Sequence, residues 1–327
     1  MMPFPVVCLR PKEDFLNVGV SPPENLSIRY LSPDDDNLAA HMAQAHALVI
    51  PAVGPELAAA LFANSRIKLV QITGAGVDRI DADAMKALDI AVANVPGGSS
   101  GAIAEYAVSS ALTLLRRTLW ANGELRKGHY VEARSRMVAE HLRGLEGLTV
   151  GFVGLGVIGM TVAQAFHNMG SRIVFHDPAP RDPELINQLD ARSMPLDELL
   201  SSSDIVTLHV PLLPSTRSMI ADDELEQMKA GAILINAARG GIVDEAALAA
   251  HLNSGHLGGA AVDVYSTEPP PPDNPLFLLS NEAAERLLLT PHIAGVTRQS
   301  WAMLFSTAWQ NVERVLVHSE APTNQVI

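Results

Sequence analysis

With 327 residues, 48% of them hydrophobic, the chain is too long for one core and too apolar to be disordered, so two folded domains are expected. A net charge of −13 argues against a nucleic-acid partner, which would require a basic face. The single cysteine, Cys8, excludes an internal disulfide and a cysteine-based metal centre; no metal is expected, and Cys8 itself reads as a buried strand residue. Pro3 and Pro5 arrive before any long apolar run, so no signal peptide is read there. The longest apolar helix candidate, Ala102–Leu115, carries Glu105, Tyr106, Ser109 and Ser110 and is too short and too polar to span a bilayer. No membrane contact and a reducing, cytoplasmic setting are the expectation.

In chain order, the first strand candidates are Val6–Leu9, Leu26–Tyr30, Ala47–Ile50, Lys68–Ile72 and Ile90–Asn94, with helix candidates near Asn37–Ala45, Pro55–Ala63 and Asp81–Leu88. This βα alternation predicts a parallel sheet covered on both faces. A glycine turn, Thr73–Asp78, follows the fourth strand, and in an open α/β sheet ligands bind just beyond the carboxyl ends of strands. Asn94-Val95-Pro96-Gly97-Gly98-Ser99-Ser100-Gly101 is the clearest break, and a long helix from Ala102 to Lys127 is expected to connect two domains. A polar stretch, Gly128–Gly147, follows.

The chain then enters Leu148–Gly159, where an apolar run meets Gly154, Gly156 and Gly159 in the spacing G-x-G-x-x-G. That spacing gives a tight turn, close backbone approach to a pyrophosphate, and close packing of helix on strand, with the anion at the helix N-terminus near Val157. Ser171–His176 reads as the next strand. Asp177 at its end stands where an acid accepts hydrogen bonds from the adenosine ribose, which favours NAD over NADP, with Arg181 close by. Further strands are Asp204–Val210 ending at Pro211, Ala232–Asn236 followed by Ala237, Ala238 and Arg239, Gly259–Val264, and Leu287–Leu289 closing at Thr290-Pro291-His292. A helix is read over Asp244–Leu252. A final amphipathic helix, Thr297–His318, bearing Trp301, Leu304, Phe305, Trp309, Val312 and Val315, is expected to pack back on the first domain.

Arg239, Glu268 and His292 each lie just beyond one of three successive strands of the second domain. Brought together, they suit carbonyl–alcohol interconversion beside a nicotinamide. Arg239 offers a fork that holds a carboxylate bidentately, and His292 can give a proton to the carbonyl oxygen or take it back. Glu268, hydrogen-bonded to His292, would favour the imidazolium.

The motifs Gly74–Asp78, Asn94–Gly98, Val153–Gly159 with Asp177, Asn236–Asp244, Asp263–Pro269 and Leu289–Gly295, in this order over nearly the full length, resemble the D-isomer-specific 2-hydroxyacid dehydrogenases. The resemblance implies a Rossmann NAD-binding domain, residues 103–292, inserted in a flavodoxin-like substrate domain formed by 1–102 and 293–327, both doubly wound parallel α/β sheets. It implies Arg239, Glu268 and His292 as the catalytic residues. Cofactor contacts are implied at Gly154, Gly156, Val157, Ile158, Gly159, Asp177, Val210, Pro211, Ala237, Ala238, Arg239, Asp263 and His292, with Asp263 on the nicotinamide carboxamide. Substrate contacts are implied at Ala75, Gly76, Arg239 and His292, and a homodimer is implied.

Two departures from the family pattern bear on its function. His129 and Tyr130 stand where many members carry tryptophan. Pro51-Ala52-Val53-Gly54 carries no cation where members acting on 3-phosphoglycerate place arginines, so an unphosphorylated 2-oxo acid such as glyoxylate or hydroxypyruvate is expected. The end at Ile327 is read as leaving no room for a regulatory domain. Glu268 argues against formate dehydrogenase, which resembles a Gln–His pairing. The alternatives are a phosphoglycerate dehydrogenase-like enzyme and an NAD-sensing, corepressor-like binding protein on the same fold.

Overall fold

Five short strands, β1 (Phe4–Cys8), β2 (Leu26–Tyr30), β3 (Ala47–Ile50), β4 (Leu69–Ile72) and β5 (Ala91–Ala93), form one parallel sheet in the order β2-β1-β3-β4-β5. This is the flavodoxin-like order. The computed structural model describes residues 3–327, and this sheet belongs to a unit built from Met1–Ser99 and Val296–Ile327. Both faces of the sheet are covered, so its strands read as continuous apolar runs rather than alternating ones. Leu48, Ile50, Val70, Ile72 and Val92 face Leu38, Met42 and Met85 on one side. Val6, Cys8, Val49 and Leu69 face Phe15, Phe305, Trp309 and Val312 on the other.

The last helix, Arg298–Leu316, packs on this first sheet, as its apolar spacing predicts. Phe15 lies 4.5 Å from Phe305 and 5.2 Å from Trp309 between ring centroids, and all three are fully buried. Burying each such ring contributes about 1.5–3 kcal/mol. Inside that apolar layer Asn311 donates to Gln71 Oε1 at 2.9 Å, a buried polar pair that fixes the helix against β4. Cys8 is buried as expected.

One predicted element is corrected here. The helix expected over Pro55–Ala63 is only a 3₁₀ turn, Ala59–Leu61. The amide of Leu57 donates to Arg79 O, and the Arg79 side chain takes the carbonyl of Pro55, so the backbone groups that would start a helix are committed elsewhere.

The second unit, Ser100–Gly295, carries a seven-stranded parallel sheet. Its strands are β6 (Thr149–Val153), β7 (Arg172–His176), β8 (Arg192–Ser193), β9 (Ile205–Leu208), β10 (Ile233–Asn236), β11 (Gly259–Val262) and β12 (Leu287–Leu289). They run in the order β12-β11-β10-β9-β6-β7-β8, so strand order reverses between β6 and β9. That reversal is the dinucleotide-binding switch point of a Rossmann sheet. Apolar layers cover both faces, one centred on Leu208, Leu234, Leu248 and Val262, the other on Ala107, Phe152, Phe166 and Ile235.

The single helix expected over Ala102–Lys127 is two, Ser100–Leu115 and Thr118–Arg126, and both lie within the second unit. The chain breaks at Arg117, which adopts φ 47°. No glycine or proline marks the break. It is stabilised by side-chain contacts: Arg117 pairs with Glu140 at 2.7 Å and Glu285 at 3.0 Å, and its guanidinium sits 4.6 Å from the Trp120 ring. The polar stretch after it contains a further helix, Tyr130–Ala139.

Candidate functional site

At the switch point, β6 ends at Val153 and the chain turns through Gly154, whose φ of +91° and contact with His209 O leave no room for a side chain. Gly159 packs directly against the Gly154 carbonyl, which brings the helix Val157–Asn168 close to the strand. Gly156 caps that helix, and a Cβ added there would meet nothing within 4 Å. This open approach to the free N–H groups of Val157, Ile158 and Gly159 is what a pyrophosphate needs. Behind the turn, His209 stacks on Phe152 at 5.8 Å and meets Thr207 Oγ1 at 3.0 Å. Burial pushes its pKa down to about 3, so it is a neutral packing residue. Val210 follows it and packs beside Gly154, with Pro211 next along the loop.

Asp177 follows β7 as expected, and its carboxylate is 4% exposed. Oδ2 accepts from Leu155 N–H at 2.7 Å and from Arg181 at 2.6 Å, and Oδ1 accepts from Ala179 N–H at 2.9 Å. Burial opposes the charge, but these hydrogen bonds and the Arg181 cation outweigh it and hold the carboxyl below its ordinary range. Arg181 thus spends its charge on Asp177, with its Nε buried and without a hydrogen-bond partner among the described residues. Replacing Asp177 with alanine is expected to weaken NADH and to release Arg181 for a 2′-phosphate. The ratio of the NADH to the NADPH dissociation constant should rise at least ~10-fold, about 1.4 kcal/mol. Fluorescence titration of both nucleotides measures it, and an unmoved ratio rejects this role.

Arg239, Glu268 and His292 stand beyond β10, β11 and β12, which are adjacent in the sheet. The loop after β10 is shaped by Asn236, which donates to Arg239 O at 3.2 Å and accepts from Ala238 N–H at 3.2 Å. Ala237 and Ala238 occupy the bend, and Asp244 ends it by capping the helix Glu245–Ser254 through Ala246 and Ala247 N–H. Arg239 Nη1 donates to Ala238 O at 2.7 Å. Gly240 lies directly against the Tyr265 carbonyl, so the loops after β10 and β11 touch backbone to backbone.

Glu268 and His292 do meet. Glu268 Oε1 accepts from Tyr265 N–H at 3.0 Å, and Oε2 lies 2.8 Å from His292 Nδ1. Burial opposes the Glu268 charge, yet the hydrogen bonds from His292 and Tyr265, with the charges of His292 and Arg239, keep its carboxyl below the ordinary range. A carboxylate only accepts, so Nδ1 carries the proton of this bond and Nε2 is the free face of the ring. His292 sits in the left-handed region, φ 55°, with its N–H on Asp263 O at 2.8 Å.

Sequence reasoning missed how that loop is held. Asp263, 1% exposed, accepts from Ile293 N–H, Ala294 N–H and Thr290 Oγ1 at 2.8, 2.8 and 2.6 Å. Thr290 Oγ1 also meets Tyr106 Oη at 2.8 Å. The buried carboxylate is therefore the frame of the segment that carries His292. A buried acid next to a Thr-Pro-His run was the available signal, but only the fold shows them in contact.

In the first unit, the turn after β4 is tied down through its carbonyls: Val95 N–H donates to Gly74 O at 2.8 Å and Asn94 to Ala75 O at 2.7 Å. The Asn94–Gly98 motif thus braces the Gly74–Asp78 motif. Among the described residues no hydrogen bond within this unit uses the amides of Ala75 and Gly76, so two adjacent donors are presented at a strand end.

Comparison with known proteins agrees with this architecture. The D-3-phosphoglycerate dehydrogenase of Archaeoglobus fulgidus is 38% identical over 238 residues, which cover 73% of this chain and 43% of that one. The glyoxylate reductase of Aeropyrum pernix is 35% identical over 263 residues, 80% of this chain and 76% of that one. A crystal structure of a Thermus thermophilus protein superposes with a TM-score of 0.82 at 30% identity, covering 99% of this chain and 100% of that one. The chain spans about half the length of the phosphoglycerate dehydrogenases it matches. Residues 108–294 match the family described as D-isomer specific 2-hydroxyacid dehydrogenase, NAD binding domain. With more than half its length in that match, the chain belongs to the D-isomer specific 2-hydroxyacid dehydrogenases, and its second unit is an NAD-binding domain.

Proposed function

We propose that the protein is an NAD-dependent oxidoreductase interconverting a D-2-hydroxy acid and its 2-oxo acid, and that it works as a reductase of small unphosphorylated 2-oxo acids of the glyoxylate or hydroxypyruvate type. The observation that carries the reading is the 2.8 Å Glu268–His292 hydrogen bond at the strand ends of an NAD-binding sheet. When bound, NADH supplies the hydride. Arg239 takes the substrate carboxylate through its fork. His292 Nε2 delivers a proton to the carbonyl oxygen as it becomes an alkoxide, and takes it back in the oxidative direction. Glu268, bonded to Nδ1, orients the ring so that Nε2 is left for this task. The glyoxylate reductase relative supports the substrate size, as does the absence of any cation among Pro51, Ala52, Val53 and Gly54.

A homodimer is part of the proposal. Leu119, Leu125, Tyr130, Val131 and Val138 are all at least half exposed on the helices Thr118–Arg126 and Tyr130–Ala139, an apolar surface suited to a second copy of the chain. A cytoplasmic setting fits the lone buried thiol of Cys8. Among the described residues no helix is long and apolar enough to cross a membrane.

The test is NADH oxidation with glyoxylate, hydroxypyruvate, pyruvate, phenylpyruvate, 2-oxoisocaproate and 3-phosphohydroxypyruvate, repeated with NADPH, with the chirality of the product determined. Turnover of a small unphosphorylated acid to its D-2-hydroxy product is expected. Tight NADH binding with no turnover across the panel would replace the enzyme reading with that of a nucleotide-sensing binding protein.

A further inference from the structure

The loop that carries Glu268 has little backbone of its own to hold it. Among the described residues, no backbone N–H of residues 264–273 donates to a backbone carbonyl. Four of those residues, Pro269, Pro270, Pro271 and Pro272, have no N–H to give, and residues 266–269 are exposed. A segment so built opens easily unless side chains pin it. One side chain does so at both feet. Glu245 Oε1 accepts from Ser266 N–H at 2.6 Å and from Ser266 Oγ at 2.8 Å, and Oε2 accepts from Asn274 Nδ2 at 2.6 Å. Ser266 stands before Glu268 and Asn274 after the proline run, so a single carboxylate closes the loop across its base.

The helix that Glu245 begins does not need this carboxylate as its cap. Asp244 caps Glu245–Ser254 by accepting from Ala246 and Ala247 N–H, which leaves both Glu245 oxygens to the loop after β11. Each foot is in turn anchored. Asn274, 4% exposed, also accepts from Leu276 N–H at 3.0 Å, and Leu276, in the 3₁₀ turn Pro275–Phe277, is buried in the core of this unit. At the other foot, Tyr265 Oη donates to Thr290 O at 3.1 Å, and Tyr265 N–H is the donor that fixes Glu268 Oε1. Fixing Ser266 therefore fixes the adjoining Tyr265 amide, which orients the carboxylate whose other oxygen meets His292 Nδ1. The path from Glu245 through Ser266, Tyr265 and Glu268 to His292 is unbroken and lies wholly within the second unit. Hydrogen bonds to a carboxylate are the strong kind, suited to holding an exposed loop.

We propose that Glu245 is a positioning residue for the acid–base pair: its carboxylate, clasping Ser266 and Asn274, holds the loop after β11 in the shape that sets Glu268 on His292 Nδ1. The inference rests on the 2-oxo acid reductase reading and adds to it the residue that keeps the pair assembled. Both Glu245 oxygens are taken by the loop, so it acts through Glu268.

The experiment measures kcat, the hydroxypyruvate KM and the NADH dissociation constant in the wild-type enzyme, in Glu245→Ala and Glu245→Gln, and in each of these combined with Glu268→Ala. Glu245→Ala is expected to lower kcat by ~10–10²-fold, the cost of a small misplacement at a reacting group. KM and NADH affinity should stay within ~2-fold, because Asn236 holds the Arg239 loop and the glycine turn is untouched. Glu245→Gln keeps an oxygen for Ser266 but turns an NH₂ toward the Asn274 NH₂, so it should lie between, and it serves where alanine does not fold. In the Glu268→Ala background, Glu245→Ala should cost less than ~2-fold more, since the bond it serves is already gone. Losses that multiply in the double variant, an unchanged kcat, or a matching loss of NADH affinity overturns the proposal and leaves Glu245 a general structural residue. The downfield proton resonance of His292 Nδ1–H, assigned by its absence from His292→Ala, gives a readout without turnover. It should shift or vanish in Glu245→Ala, and an unmoved signal overturns the proposal as well. Silence of the wild type on every 2-oxo acid defeats the functional reading, while this resonance still decides whether Glu245 holds the pair together.

Discussion

Replacing His292 with alanine is expected to lower kcat by roughly 10²–10⁴-fold, the usual loss for a general acid, or about 2.7–5.4 kcal/mol of transition-state stabilisation. Substrate KM and NADH affinity should change far less, because the ring contributes mainly as the carbonyl oxygen acquires charge. The environment of His292 makes the loss specific. Its Nδ1 is committed to Glu268 at 2.8 Å, and its left-handed backbone is fixed by Asp263 O and by the Thr290–Ala294 frame around the Asp263 carboxylate. Alanine removes the Nε2 proton without disturbing that frame. Single-turnover measurement of NADH oxidation separates chemistry from release, and a variant with near-wild-type single-turnover rate would remove His292 from the proton-transfer role.

The second large effect is expected at Arg239. Two charge-assisted hydrogen bonds to a carboxylate, each worth about 1.5–3 kcal/mol, make Arg239→Ala cost roughly 10²–10⁴-fold in kcat/KM. The loss should be shared between a higher KM and a lower kcat, since the same fork binds the acid and orients its carbonyl. Arg239→Lys should recover little, because a single ammonium cannot reproduce the planar fork. Steady-state kinetics with hydroxypyruvate decide the matter; kinetics that match the wild type would place the carboxylate elsewhere.

Much of this site is legible in the amino-acid sequence because its chemistry sits at strand ends. G-x-G-x-x-G, Asp177, Arg239, Glu268 and His292 each follow an apolar run, and the strand order then sets β10, β11 and β12 side by side. The first sheet is legible for the same reason: strands buried on both faces read as unbroken apolar runs. What the sequence hides is tertiary. The helix break at Arg117 depends on Glu140 and Glu285, which are remote in sequence, and the 3₁₀ turn at Ala59–Leu61 on carbonyls and amides captured by Arg79. Arg181 reads as a neighbour of Asp177, but only the turn after β7 shows it folded onto that carboxylate. The Pro51–Gly54 segment carries no cation of its own, and only the fold shows the Arg79 guanidinium reaching the carbonyls of Pro51 and Pro55.

The helix Arg298–Leu316 covers one face of the first sheet, yet it is made only after the whole of the second unit. During synthesis at about 5–20 residues per second, roughly 10–40 s separate the emergence of Ser99 from that of the helix that completes its core. Ser100–Gly295 is continuous and has all of its strands before that helix appears. The order of assembly is thus inverted relative to the order of the chain: the inserted unit can close first, while the unit that begins the protein waits with Phe15 and the Val6–Leu69 face uncovered. A ribosome stalled between these two events would carry a finished nucleotide fold beside an open apolar sheet, a natural substrate for a chaperone.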